Sequence, residues 1–172
     1  MDICPIVKTH RLKLLPCALE VAQAVATKNK SQVEALLAVR IPEEWYTAQV
    51  QDFIPTYPQI LTNDPSQLGW GVWLIIHTAD STLIGDLGFT GKPDYSKTVE
   101  IGYEVIMEYR NQGYGFEAVQ ALVNWAFKQP EISRIIADCH LDNSASIQIL
   151  EKLGMQQIER NETLLKWELK KE

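Results

Sequence analysis

The segment Arg110–Gly115 (RNQGYG) constrains the fold most, because two glycines join a strand pattern to a helix pattern there. Strand-like residues precede it from 98 to 107, and apolar residues at helical spacing follow it from 116 to 127. Glycines let a backbone turn sharply and bring its N–H groups close to a ligand. The first turn of a helix adds unpaired amides and the positive end of the helix dipole. The segment therefore predicts a pyrophosphate-binding loop, with Arg110 at its rim.

Other interpretations of this loop remain open at this point. Two glycines in a turn also occur in many folds without any ligand. In a dinucleotide-binding G-x-G-x-x-G pattern the third glycine would fall at Ala118, which that pattern tolerates. However, the strand before the loop follows a β-hairpin instead of opening a βαβ unit. No Gly-Lys-Ser/Thr triplet follows the loop, so it is not a Walker phosphate loop.

The remaining patterns predict one domain over residues 1–172, of class α/β (α+β), with a mixed sheet that is not doubly wound. Helical spacing over 43–62 is interrupted by Pro55 and Pro58, which indicates a bent helix or a loose lid. Ser31 and Glu34 have the spacing of a capping box. Strands are expected at 11–15, 70–78, 83–90, 98–107, 134–141 and within 157–169, and helices at 18–39 in two pieces, 116–127 and 143–153.

Charge and cysteine content restrict the partners. The net charge is −6, whereas phosphate backbones require a clustered cationic surface, so no nucleic acid partner is expected. The three cysteines form no CxxC pair, which suggests neither a metal site nor a disulfide framework. The first residues lack a secretory pattern, and the longest apolar stretch, at 72–76, is too short to span a membrane. We therefore expect a cytoplasmic protein.

Five segments, taken in order, resemble the GNAT acetyltransferase superfamily, in its branch of ribosomal-protein N-terminal acetyltransferases (RimJ/RimL type). Arg110-x-x-Gly113-x-Gly115 resembles the acyl-CoA loop R/Q-x-x-G-x-G/A of that superfamily. The other matches are residues 9–14 (THRLKL), 83–89 (LIGDLGF), 100–103 (EIGY) and 143–155 (NSASIQILEKLGM). The resemblance covers residues 9–155. Residues 16–68 have no match, and acceptor specificity is expected there.

The resemblance implies a single-domain GNAT acyl-CoA N-acyltransferase fold, with a mostly antiparallel central sheet flanked by helices. It also implies acetyl-CoA as co-substrate and a primary amine as acceptor, either a protein N-terminus or a small molecule. A splayed or bulged strand at 105–107 is expected to pair with the pantetheine amides through its backbone. The residues expected to bind the coenzyme are Val105, Ile106, Met107, Arg110, Asn111, Gln112, Gly113, Tyr114, Gly115, Phe116, Asn143 and Ser146.

Acetyl transfer requires a neutral amine and a thiolate that can leave. The resemblance places Glu100 near the reacting carbon as the candidate base, with Glu104 as the alternative on the same strand face. Many GNAT enzymes have a tyrosine acid at the position of Leu150, so the resemblance points instead to Ser146 beside the thiol. Both glutamates would otherwise be solvated strand residues, and Ser146 would be a helix-capping residue.

Three questions stay open. A non-catalytic acyl-CoA sensor with the same fold is the alternative to an enzyme. A monomer and a homodimer are both compatible with the sequence. Aromatic residues in the unmatched region are either core or the lining of an acceptor pocket; these are Trp45, Tyr46, Phe53, Tyr57 and Trp70.

Overall fold

A computed structural model describes residues 5–172 and shows one eight-stranded sheet in the spatial order β1-β2-β3-β4-β5-β6-β8-β7. Every neighbouring pair is antiparallel except β5 and β6, which run parallel. The mixed, mostly antiparallel sheet is therefore confirmed. The strands are β1 Val7–Lys8, β2 Leu12–Pro16, β3 Val72–His77, β4 Thr82–Phe89, β5 Thr98–Val105, β6 Arg134–His140, β7 Gln156–Arg160 and β8 Leu164–Lys170.

Six α-helices flank this sheet within the described residues. Residues 16–68, which have no match in the family pattern, form four short helices. The bent helix expected over 43–62 is two separate helices, with residues 54–56 between them. The second helical piece is capped by Asn29, whose side chain accepts a hydrogen bond from the Gln32 amide, so the capping box expected at Ser31 is wrong. The helices are α1 Leu19–Ala26, α2 Lys30–Leu37, α3 Ala48–Phe53, α4 Tyr57–Asn63, α5 Tyr114–Phe127 and α6 Ser144–Lys152.

The two faces of the sheet are covered by different helices. Trp73 of β3 packs edge-on against Trp125 of α5, with ring centroids 5.0 Å apart, so α5 covers the face of the odd-numbered β3 residues. Leu74 pairs with Asp86, and Asp86 with Glu104, which places these three residues on the opposite face. The helices α3 and α4 cover that face.

Alternating burial of side chains holds β2 in place on the sheet. Leu12 and Leu14 are fully buried, whereas Lys13 and Leu15 between and beside them are half-buried. The buried leucines fix the register of β2 against β3, where Leu14 pairs with Ile75. This register sets the position of Arg11, which directly precedes β2 and contacts Gln112 and Glu117, far along the chain. None of the helices formed by the described residues has the length and apolar character needed to cross a membrane.

Candidate active site

The central sheet opens between β5 and β6. These parallel strands pair only through Thr98–Arg134, Val99–Ile135 and Glu100–Ile136, although β5 continues to Val105 and β6 to His140. Past Glu100, β5 remains paired with β4 on its other side. The strands therefore splay apart, and the side of β5 that faces β6 presents backbone groups to a cleft. The expected splay is present. The pairing of β5 with β4 has no register shift; the neighbouring pair of β3 and β4 has one, between Ile75 and Ile76.

A cleft of about 500 Å³ occupies this opening. The end of β5, the loop before α5, the first turn of α5 and the first two turns of α6 form its walls. Nine of the thirteen site residues expected from the sequence line it. These are Val105, Arg110, Asn111, Gly113, Tyr114, Gly115, Phe116, Asn143 and Ser146.

The loop reaches the cleft because two of its residues adopt left-handed backbone conformations. Asn111 has φ 58° and Gly113 has φ 83°. Gly113 is the N-cap of α5, and its carbonyl accepts the Glu117 amide at 3.0 Å. The amides of the first helical turn that precede Glu117 therefore have no acceptor within the helix. Gly115 also allows close packing, since a Cβ there would lie 3.1 Å from Ile149 Cδ1 of α6.

Arg11, which directly precedes β2, supports this loop. Its Nε lies 2.7 Å from Glu117 Oε2, and its Nη1 donates to the Gln112 carbonyl at 2.9 Å. Its guanidinium also lies over the Tyr114 ring, 4.2 Å from the centroid. The Thr9 hydroxyl donates to Glu117 Oε1 at 2.5 Å. Burial acts to raise the pKa of Glu117, but the hydrogen bonds from Thr9 and Arg11 outweigh it and hold that pKa below its usual range.

A second set of contacts fixes the loop to the β3–β4 hairpin. Tyr114 Oη lies 3.0 Å from His77 Nε2, and His77 Nδ1 lies 2.8 Å from Asp80 Oδ1. The Tyr109 hydroxyl donates to the other oxygen of Asp80 at 2.6 Å. Burial opposes ionisation of Asp80, yet the hydrogen bonds from Tyr109 and His77 lower its pKa to about 2. Both ends of the loop are therefore held in place before any ligand binds.

Arg110 and Glu104 interact where β5 meets the loop. Arg110 Nε donates to the Val105 carbonyl at 2.6 Å, and its Nη2 lies 3.6 Å from Glu104 Oε1. Arg110 is exposed and its guanidinium has further donors for an anion. Glu104, the alternative base, faces this cation at the cleft.

A family model described as "Acetyltransferase (GNAT) domain" matches residues 11–156. The chain belongs to the GNAT acetyltransferase family. As a GNAT protein it is an acetyl-CoA-dependent N-acetyltransferase, which transfers an acetyl group to an amine. The match includes the loop, both cleft helices and the splayed strands.

Curated relatives support this GNAT assignment. The chain is 34% identical over 149 residues to the uncharacterized N-acetyltransferase YjdG of Bacillus subtilis, covering 87% of this chain and 88% of YjdG. It is 32% identical over 88 residues to the ribosomal-protein-serine acetyltransferase of Escherichia coli, covering 51% and 49% of the two chains.

Solved structures show the same fold at low sequence identity. A GNAT-family acetyltransferase from Bacillus anthracis superposes with TM-score 0.66 at 22% identity, covering 96% of this chain and 98% of that one. The ribosomal-protein-S5-alanine acetyltransferase from Vibrio fischeri gives TM-score 0.69 at 14% identity, covering 96% of both chains. RimL, a ribosomal L7/L12 α-N-protein acetyltransferase, solved in complex with coenzyme A, gives 0.66 at 20% identity, covering 96% and 98%.

Four expected site residues of this GNAT chain lie outside the lining of the cleft. The amide of Ile106 donates to the Ile84 carbonyl at 2.9 Å, so it is not free for pantetheine, and the Ile106 side chain is buried. Met107 is 78% exposed beyond the strand end. Gln112 donates to the Glu108 carbonyl at 3.0 Å. Glu100, the expected base, is half-buried at the last paired position before the splay.

Burial, and secondarily the charge of Asp138, raises the pKa of Glu100, while Lys166 partly offsets this effect. A raised pKa suits a group that takes a proton near neutral pH. Glu100, Gly102 and Glu104 share the sheet face opposite α5, by strand alternation. The base candidate therefore lies on the sheet face opposite α5.

Seven residues that line the cleft were not assigned to the site from the sequence, and Tyr103, Lys152 and Gln49 are three of them. Tyr103 lines the cleft and its hydroxyl donates to the Ser146 carbonyl at 3.4 Å; burial raises its pKa to about 12. Lys152 lies 4.2 Å from the Phe116 ring centroid and adds a second cation beside Arg110. Gln49, from the unmatched region, also reaches the cleft. Two signals were available for Tyr103: it belongs to the matched segment 100–103, and alternation along β5 places odd-numbered residues toward α6.

The first turn of α6 combines capping with the cleft lining. The Asn143 side chain accepts a hydrogen bond from the Ser146 amide at 3.1 Å, which is the N-cap geometry. Ser146 is half-buried and lines the cleft. Leu150, one turn further on, is 1% exposed and belongs to the core. The first turn of α6 therefore presents Ser146 to the cleft, and residue 150 does not line it; Gln148 and Lys152 are the other polar residues of α6 that do.

Proposed function

We propose that the enzyme binds acetyl-CoA with its diphosphate against the first turn of α5, at residues 113–116, and its pantetheine arm along β5. The observation that carries this proposal is the splay of β5 from β6 directly beside the first-turn amides of α5. Oriented N–H groups at a helix start suit a diphosphate, and a free strand edge suits the amides of pantetheine. Arg110 and Lys152 supply positive charge at the same cleft.

In the proposed reaction the neutral amine attacks the thioester carbonyl, the C–N bond forms, the C–S bond breaks, and the amine proton passes to Glu100. The raised pKa and half-buried position of Glu100 support this role. Ser146 is the proposed neighbour of the leaving thiolate, which takes its proton from the Ser146 hydroxyl or from solvent. Tyr103 holds the first turn of α6 in place through its hydrogen bond to the Ser146 carbonyl.

The test is an assay of coenzyme A thiol release with peptides, polyamines, amino acids and aminoglycosides as acceptors. Glu100→Gln is expected to lower kcat by about 100-fold and to leave the Kd for coenzyme A unchanged, as for the loss of a general base. Glu104→Gln is the matched comparison, and a smaller loss is expected because Glu104 is ion-paired with Arg110. Thiol release that does not depend on any amine, or full activity of Glu100→Gln, would contradict the proposal.

A further inference from the structure

A second cavity, of about 460 Å³, lies on the sheet face covered by α3 and α4. It adjoins the coenzyme cleft, because Gln49 lines both. Its floor includes Gly88 and Gly102, which are directly paired across β4 and β5. The walls are mainly apolar and include Phe53, Tyr57, Ile60 and Val72.

One carboxyl group lines this apolar space. Asp86 of β4 is 1% exposed, and neither of its carboxylate oxygens has a hydrogen-bond partner among residues 5–172. Burial, and secondarily the charge of Glu104, raises its pKa to about 8. A buried carboxyl group without partners costs folding free energy. In a cleft, such a group is a candidate for ligand recognition.

The position of Asp86 relates it to the proposed reaction centre. Its partner on the neighbouring strand, Glu104, lines the coenzyme cleft, and adjacent strands are about 5 Å apart. Gly102 lines the cavity and Tyr103 lines the cleft, so consecutive residues of β5 face the two spaces. An acceptor in the cavity would therefore meet the acetyl group across β5.

We infer that this cavity is the acceptor pocket and that Asp86 recognises the ammonium group of a small primary amine with an apolar body. The inference rests on the proposed function, because it takes the acetyl group to lie at β5. An ammonium group complements the unpartnered carboxylate, and a compact apolar body complements the walls. An extended peptide is disfavoured, because its backbone amides would need more hydrogen-bond partners than these mainly apolar walls offer. The bound ammonium group releases one proton to solvent before it attacks as the neutral amine. The proton lost after the attack passes to Glu100, which does not line the cavity.

Two variants test the pocket without touching the coenzyme loop. Asp86→Asn removes the charge at constant volume. Gly102→Val fills the floor, where a Cβ would meet only Gln49 Nε2 at 3.5 Å, so the strand accommodates it. Asp52→Asn is the matched control, since it removes the same charge from an exposed position on α3.

The probes are benzylamine, isopentylamine and hexapeptides that begin with Ser or Ala. Asp86→Asn is expected to lower kcat/KM for benzylamine by about 50-fold, mainly through KM, as for the loss of a charge-assisted hydrogen bond. Gly102→Val is expected to abolish benzylamine turnover. Both variants keep the Kd for coenzyme A within about twofold, and Asp52→Asn behaves as the wild type.

An unchanged KM for benzylamine in Asp86→Asn, with coenzyme A binding intact, overturns the inference. Turnover of the hexapeptides alone, equal in the wild type and both variants, also overturns it but leaves the proposed function standing. Failure of the wild type to bind coenzyme A refutes the proposed function instead. If no probe amine is acetylated, saturation-transfer NMR with the coenzyme-loaded protein decides: equal benzylamine binding by wild type and Asp86→Asn, or none by either, rejects the pocket.

Discussion

Arg11 and Glu117 are 106 residues apart in the chain and form an ion pair in which Arg11 Nε lies 2.7 Å from Glu117 Oε2. Glu117 also accepts the Arg11 amide at 2.9 Å. Arg11 in turn donates to the Gln112 carbonyl and covers Tyr114. The residue directly before β2 therefore helps to fix the position of the loop that is proposed to bind the coenzyme.

Glu117→Gln is expected to raise the Kd for coenzyme A by about tenfold, because loss of the charge loosens Arg11 and with it the loop. Isothermal titration calorimetry measures this change. The matched control is Glu168→Gln, which breaks the 2.7 Å ion pair of Arg134 and Glu168 on β6 and β8, away from the loop. Equal affinities in the two variants would show that the Arg11 contact does not organise the site.

Comparing Gly113→Ala with Gly154→Ala separates the cost of a left-handed backbone from a direct effect on the coenzyme loop. Gly113 has φ 83° and its Cβ would lie 3.2 Å from Arg11 Nη2, whereas Gly154 has φ 82° and nothing within 4 Å. Both alanine variants are expected to lose about 1 kcal/mol of unfolding free energy, from the left-handed backbone. Only Gly113→Ala is expected to weaken coenzyme A binding. Equal binding by both variants in calorimetry is the contrary result.

Asp86→Asn is expected to increase the unfolding free energy, and the gain should depend on pH. The carboxyl group has a pKa of about 8 in the folded protein and near 3.8 as a reference, so the folded state binds more protons between these values. The wild type therefore loses stability from this group as pH rises from 4 to 8, and the variant does not. The gain should be about 3–4 kcal/mol larger at pH 8 than at pH 5.

Urea denaturation at the two pH values measures this difference. Asp52→Asn, on the surface of α3, is the control and should show little change at either pH. A gain from Asp86→Asn that is the same at pH 5 and pH 8 would mean that Asp86 does not have a raised pKa in the folded protein.

The cysteines should react slowly with thiol reagents in the folded protein. Burial, and then the charge of Asp86, raises the pKa of Cys17 to about 12, and burial raises the pKa of Cys139. Both side chains are buried and free. With Ellman's reagent we expect at most one fast thiol per native chain, from Cys4, which lies outside the described residues. Two or more fast thiols would show that the core opens readily.

Local patterns were sufficient to predict the coenzyme loop and its supporting elements. Glycines, a strand pattern before them and a long amphipathic pattern after them occur together at residues 98–127, and no distant contact is needed to interpret them. The hairpin of β3 and β4 followed in the same way from its turn residues. The two-residue strand β1 was not predicted, because a pattern of that length carries no periodicity.

Features that depend on distant contacts were missed. Asn29 and Ser31 are both suitable capping residues, and the local pattern does not decide between them; the helix is capped by Asn29. Asp86 interrupts an apolar run in β4, and such a residue usually faces solvent. It is buried because helices cover both faces of the sheet, a fact that alternation within one strand does not contain. The role of Arg11 depends on Glu117, far along the chain.

The central claim is that the amides of residues 113–116 hold a diphosphate in the opening between β5 and β6. A crystal structure of the protein with coenzyme A tests it most directly. The account predicts diphosphate oxygens about 3 Å from those amide nitrogens, with the pantetheine arm along the edge of β5 that faces β6. Coenzyme A bound elsewhere, with this cleft closed or left free, would contradict the account.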